Sequence, residues 1–472
     1  MKNELTNRAL GLDALRGLAI LMMFLSGLVP FYTNTLPDWM YHGQIPPPLH
    51  QFNPNLPGIT WVDLVFPFFI FSMGAAIPLA LNSRLEKGVK LKTILLQIFE
   101  RGLLLAGFAI FIQHVKPYAL NSTPNIFTWL TALLGFVLLF PVLYKYPLSF
   151  NKKHKTIIKL IGFLIIILLL FILRYNNGSG FLLTRSDIII LVLANVSFFG
   201  SIIWLITQKN ILIRLSLLLF LLAFRLGHTE IGWIKAVWDF TPFPWLYTFY
   251  YLQYLFVLIP GTIIGDMIYL YMKEKPNNIQ KGLNTNILAI ISVLMLVINV
   301  IVLIGLKTRY VEYTLGAAII FGTINYYLLS KAANVYEILF KKMFYWGMYF
   351  LLLGLAFEPF EGGIKKDHPT LSYYFVTVGL AVFTLIGLMI IIDILKKQKV
   401  FSIIIANGQN PLTAYAGITN LIPPILALTG LGEVLSLIVI NPWLGLLKAL
   451  FITFLLGFIV SFFTKFKIYL RT

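Results

Sequence analysis

Residues 287–306 read ILAIISVLMLVINVIVLIGL, a run with no charged side chain. A helix of ~20 apolar residues crosses a ~30 Å hydrocarbon layer. Residues 156–173, TIIKLIGFLIIILLLFIL, have the same character with a single lysine. Such runs recur along the chain, and backbone polar groups in lipid must be satisfied internally. A helical bundle is therefore the expected solution: all-α and polytopic, with about 12 spans in a range of about 10–14.

The bulk composition agrees. Hydrophobic residues make up 59% of 472 and charged residues 12%, with a mean hydropathy of +0.85. Soluble domains need far more charge to cover their surface. The formal net charge of +19 invites a nucleic-acid reading, but its placement argues otherwise. With the N-terminus set inside, alternate loops fall near 83–92, 145–156, 208–214, 273–286, 331–342 and 395–399. With the N-terminal segment and the tail 465–472, they hold about 25 of the 37 lysines and arginines, whereas loop 32–59 holds none. The basic excess is a topology signal. It predicts an integral inner (cytoplasmic) membrane protein with a cytoplasmic N-terminus, a lipid bilayer as its environment and no nucleic-acid partner.

Cysteine is absent, which excludes disulfides, thiolate metal sites and cysteine nucleophiles. Residues 11–29 run into a long polar loop without a small-x-small cleavage site, so they read as a first membrane helix, not a signal peptide. No linker or internal repeat divides the chain, which reads as one multi-pass domain over 1–472. Three outward loops are long and chemically diverse: 32–59, rich in Pro, aromatics and His; 225–246; and 358–372. They suit a site that opens outward, and equally suit loops that cap helices and rest on headgroups.

Ionisable groups at membrane depth are functional candidates. Asp13 and Arg16 lie three residues apart in GLDALRG, spacing that fits a local ion pair on one helix face; the alternative for Arg16 is an anionic cofactor. Asp63 stands in GITWVDLVFPFFIFSMG, just inside a span, with Gly58 and Thr60 as helix-start residues. There it meets the positive end of the helix dipole. Arg101, beside Glu100, could bind phosphate bidentately. The histidines are His42, His50, His114, His154, His228 and His368. None has helical zinc-site spacing, so no metal is expected. His42 and His50 share the loop before Asp63, and imidazole suits proton transfer near neutral pH. The run GQNPLTAYAG at 408–417 breaks an apolar stretch. Such a break is either cap chemistry or the wall of a cavity.

Taken together, LDALRGLAILMMFLSG (12–27), GITWVDLVFPFFIFSMGAAIPLAL (58–81), KKDHPTLSYYFVTVG (365–379) and GQNPLTAYAG resemble the transmembrane acyltransferases related to lysosomal heparan-α-glucosaminide N-acetyltransferase. The resemblance covers roughly residues 9–115 and 362–418. It implies transfer of an acetyl group from cytoplasmic acetyl-CoA, the acyl donor, to a sugar or cell-envelope glycan acceptor on the far face. It implies a catalytic histidine in the loop before Asp63, with His50 the nearest candidate, His42 the fallback, and Asp63 as its support. Arg16, Arg101 and Asn410 would serve the donor, and Lys365 and Lys366 an anionic acceptor. The chain departs from the family pattern at Ser26-Gly27, where an Asn is usual, and in TWLTALLG (128–135), which lacks a Gln-Arg pair. The reading leaves room for a homo-oligomer. The alternative function is a transporter of a small sugar or muropeptide-like solute without acyl transfer. A transporter of that kind commonly has two related halves with paired broken helices, and only one clear break, near Asn410, is visible.

Overall fold

The computed structural model describes residues 9–31, 36–147, 150–230, 232–273 and 282–472. The basic residues expected in the N-terminal segment and most of those in loop 273–286 lie outside them. The protein is a polytopic helical bundle. Twelve helices are long and apolar enough to cross a membrane. Two more miss that description: Ile211–Leu226, with 16 residues, is too short, and Val311–Ser330, with 20, is too polar. The contacts gather into two compact units: 1–89, 204–215 and 254–408 form the first, and 90–203, 216–253 and 409–472 the second.

In the first unit the core is the helix Leu371–Met389, every residue of which is buried. An apolar helix enclosed on all sides can lack a polar face, and this one reads apolar all round. It packs against Val335–Ala356, Thr285–Lys307, Leu10–Leu28 and Trp61–Glu86. Trp61–Glu86 lies along Leu255–Lys273 with small residues at the seam: a Cβ on Gly74 would collide with Leu258 O, and one on Gly261 with Phe71 O. Close backbone approach through small residues is how helices associate where burial offers no hydrophobic gain. The two helices run parallel. The Phe66 and Tyr254 rings meet at one end, 5.0 Å apart, and Glu86 pairs with Lys273 at the other.

Contacts at the helix ends assign each loop to a side of this unit. Lys307 pairs with Asp38 (3.4 Å) and Arg309 with Glu358 (2.5 Å), so the loops preceding Asp63, following Lys307 and preceding Leu371 share one end. Gly11 N donates to Asp393 Oδ2 (3.0 Å), placing the start of the first helix and the end of the Leu371 helix at the other. These are called the Asp63 end and the Asp393 end below.

Helix starts follow local chemistry. Thr60 and Asp63 form a capping box, as do Asn334 and Glu337. Glu337 is buried, and its carboxylate accepts from Leu283 N, Ala333 N and Asn334 N.

In the second unit, Ile126–Leu143 pairs with Lys152–Ile172 and also packs against Pro411–Asn420 and Ile422–Leu428, and Pro442–Lys465 packs on Pro411–Asn420. The expected polar break is present: one helix stops at Gln409 and the next begins at Pro411. The C-terminal tail is pinned by Lys145 N to Tyr469 O (2.9 Å) and Arg471 N to Leu143 O (2.7 Å).

Candidate active site

At the Asp63 end of the first unit, three elements bring their polar groups to one point. The Trp61–Glu86 helix supplies Asp63, fully buried. Its Oδ2 accepts from Thr60 N (2.9 Å), Gly43 N (3.1 Å) and Thr60 Oγ1 (3.4 Å). Its backbone carbonyl accepts from the hydroxyl of buried Tyr373 (2.8 Å). Asp63 is thus fixed from its own helix start, from the preceding loop and from the central helix. Its other oxygen, Oδ1, is buried and has no hydrogen-bond partner among the described residues.

That oxygen lies 3.4 Å from His42 Nε2 and 3.8 Å from Lys366 Nζ. His42 Nε2 also lies 3.0 Å from Asp367 Oδ2. Gln44 N donates to His42 Nδ1 (3.0 Å), so Nδ1 carries a lone pair and the ring hydrogen belongs on Nε2, facing both carboxylates. The imidazole is wedged, donor outward, between Asp63 and Asp367.

Gln44 also joins the two loops that make the site. Its Oε1 accepts from Asp367 N (2.8 Å), while its Nε2 donates to Asp367 O and to Pro54 O (3.0 Å). Gly58 N to Ile364 O (2.8 Å) ties the same loops again. Burial pushes the Asp367 carboxyl up. The hydrogen bond from His42 and the charges of Lys366, His42 and His368 outweigh it and hold the group below the ordinary carboxylate range.

The structure brings Asp63 and Lys366 of the expected residues together, and the histidine between the carboxylates is His42, the fallback. His50 is elsewhere. Its ring packs edge-on against Tyr41 (4.5 Å) and Phe31 (5.3 Å), and neither ring nitrogen has a hydrogen-bond partner among the described residues. The expected hydrogen bond between His50 and Asp63 is absent, and His50 itself holds a left-handed φ of 47°. Lys365, half-buried, accepts Thr370 N at its backbone carbonyl (3.1 Å).

Arg16 pairs with Asp13 (3.8 Å), matching the local-pair reading, and donates to Gly408 O (3.3 Å) and Ser72 O (3.1 Å). Arg101 is half-buried on Leu91–His114, in the second unit. Asn410, also in the second unit, is buried and occupied: Nδ2 donates to Ile468 O (2.7 Å), and Oδ1 accepts from Thr413 Oγ1 (2.7 Å) and Leu470 N (3.3 Å). Its contacts are those of a clasp on the tail. Among the described residues no group of three His, Asp or Glu could hold a metal ion.

A family described as a domain of unknown function (DUF5009) matches residues 8–268, more than half of the chain. The chain belongs to the DUF5009 family. No curated protein matches it. The DUF5009 segment contains His42, Gln44 and Asp63, whereas Lys366, Asp367 and Tyr373 come from beyond it, so the cluster is completed by the remainder of the chain. Gln44, Asp367 and Tyr373 escaped the sequence reading. Asp367 had a visible signal, as the acid within KKDHPTLSY. Gln44 had none.

Proposed function

We propose that this DUF5009 protein is a membrane-embedded acyltransferase that moves an acetyl group from acetyl-CoA to a sugar or envelope glycan bound at the Asp63 end. One observation carries the reading: an imidazole held between two carboxylates, one of which keeps a buried oxygen, Asp63 Oδ1, without a hydrogen-bond donor. A buried acceptor atom in that state costs stability unless a ligand supplies the donor. The motif resemblance supplies the reaction class.

The basic residues of the first unit support the orientation. At the Asp63 end stand Lys307, Arg309, Lys365 and Lys366, whereas the loops and helix ends at the Asp393 end carry Arg84, Lys87, Lys273, Lys331, Lys341, Lys342, Lys396, Lys397 and Lys399. This is the asymmetry of a cytoplasmic face. It would set the Asp393 end and the N-terminus inside and the site at the outer mouth. At the Asp393 end, a cavity of about 480 Å³ with Tyr271, Tyr336, Lys396 and Gln398 on its wall offers the donor an approach.

The acceptor's O–H or N–H group attacks the thioester carbonyl carbon, the C–S bond breaks, and the departing sulfur leaves as the coenzyme A thiolate, which becomes the thiol when the acceptor's proton is passed on to it. The proton released by the acceptor goes to Asp63 Oδ1, the oxygen open to it. His42 cannot take that proton at Nδ1 while Gln44 N–H occupies it, so the imidazole acts through Nε2–H, steadying the negative charge shared by Asp63 and Asp367. This arrangement favours direct transfer over an acetyl-histidine intermediate, which needs a free ring lone pair.

The test is purified protein in vesicles with [¹⁴C]acetyl-CoA and an envelope glycan fraction. Label transfer by the wild type and its loss in a folded His42→Ala variant are expected. Wild-type vesicles that consume no acetyl-CoA but accumulate a labelled sugar would replace this reading with the transporter.

A further inference from the structure

The acceptor group can be assigned more narrowly. Resting on the acyl-transfer reading, we infer that the site acylates a hydroxyl and discriminates against an amine. The decisive feature is what surrounds the open oxygen. Asp63 Oδ1 faces Lys366 Nζ at 3.8 Å and His42 Nε2 at 3.4 Å. The ammonium that would pair with this carboxylate is therefore built into the protein. Asp63 Oδ2 is closed by Thr60 and Gly43, and His42 Nδ1 by Gln44.

An amine arriving at neutral pH carries a positive charge. Placed on Oδ1, it would stand within a few ångströms of the Lys366 ammonium, where like charges repel by about 1–4 kcal/mol depending on the local dielectric. The only relief is displacement of Lys366. The amine would then sit against Asp63 with Asp367 close by, and two carboxylates favour its protonated form. A protonated amine has no lone pair with which to attack a thioester. Both outcomes disfavour N-acylation.

A neutral hydroxyl meets neither obstacle. It donates to Asp63 Oδ1 while Lys366 stays in place, which supplies the donor that oxygen lacks. Its lone pairs remain free for the thioester carbonyl. The chemistry balances: the O–H bond breaks as the C–O bond forms, the proton passes to Asp63 Oδ1, cleavage of the C–S bond releases the coenzyme A thiolate, and the proton moves on from Asp63 to the sulfur to give the thiol. The product is an ester. Asp367, kept ionised by His42 and Lys366, holds the imidazole in place throughout.

The linkage of the transferred label tests this whatever the natural acceptor is. Vesicles bearing wild-type protein are given [¹⁴C]acetyl-CoA with methyl glucoside, glucosamine and an envelope glycan fraction, and the products are treated with alkaline hydroxylamine. Esters release their label under that treatment and amides retain it. The expected result is protein-dependent label that is released almost completely. In Lys366→Met, which empties the cation position, the label should stay ester-linked, and glucosamine, bound as its ammonium between the two carboxylates, should become an inhibitor of that transfer. Wild-type label that resists hydroxylamine overturns the hydroxyl assignment and leaves acyl transfer standing. Absence of both label transfer and protein-dependent coenzyme A release overturns acyl transfer itself, and this inference with it.

Discussion

Two buried aspartates, one in each unit, occupy the same kind of position and differ in one oxygen. Asp187 lies immediately before Ile188–Thr207, and Asp63 is in the first turn of Trp61–Glu86. Asp187 Oδ2 meets Lys116 Nζ at 2.7 Å, and its Oδ1 accepts from Tyr415 Oη (2.9 Å) and Ile190 N (3.2 Å). Both oxygens are used. Asp63 directs its bonds onto Oδ2 and leaves Oδ1 facing an imidazole and an ammonium beyond hydrogen-bond geometry. Burial of a charge is thus no sign of function by itself. A closed carboxylate has all its bonds committed to the fold, and an open one keeps an acceptor that the fold does not use.

The largest effect expected from this contrast is on rate. Asp63→Asn removes the proton acceptor, and acetyl transfer should fall by about 10²–10⁴-fold; Lys366 loses this partner but keeps the charge of Asp367 beside it, so the melting temperature should fall less than in Asp187→Ala. Asp187→Ala should do the reverse. It leaves Lys116 without its partner and costs about 3 kcal/mol of stability, read as a lower melting temperature in detergent. An Asp187 variant that keeps full stability but loses transfer would break the distinction.

A smaller effect belongs to Asp367. Its folded carboxyl is held below its ordinary value, so it contributes stability above about pH 3.9, the unfolded value, and loses that contribution as pH falls through the folded value. Asp367→Asn should therefore melt below the wild type at neutral pH, with the gap closing on acidification. The carboxylate is 47% exposed, so screening keeps this gap below the Asp187 effect. The smallest change is expected from His50→Leu. Replacing an imidazole whose nitrogens lack partners among the described residues with an apolar side chain should be neutral, or stabilising by up to about 1 kcal/mol.

The helical membrane-spanning class was legible because hydropathy acts over whole segments, and runs such as 287–306 need no tertiary partner to declare themselves. The helix start at Asp63 was legible too, since Thr60 and Asp63 cap one another within a turn. Which histidine lies beside Asp63 was not. His42 and His50 lie in one loop of similar composition, and proximity in sequence to Asp63 favoured His50. The choice is made by a turn that sends His50 into the rings of Tyr41 and Phe31, and by Asp367, which arrives from the far half of the chain. Gln44, which clamps the two loops, bonds to the Asp367 backbone through a pairing that no local pattern announces. At Asn410 the break was legible, and the side-chain contacts to the C-terminal tail at Ile468 and Leu470 were not.

The two histidines give the most direct test. Acetyl transfer from [¹⁴C]acetyl-CoA is measured for wild type, His42→Ala and His50→Leu, reconstituted at equal density and matched for folding by melting temperature. Loss of transfer is expected in His42→Ala and activity within about twofold of wild type in His50→Leu, because only His42 stands between the two carboxylates. Retained transfer in His42→Ala together with its loss in His50→Leu would contradict this role of His42.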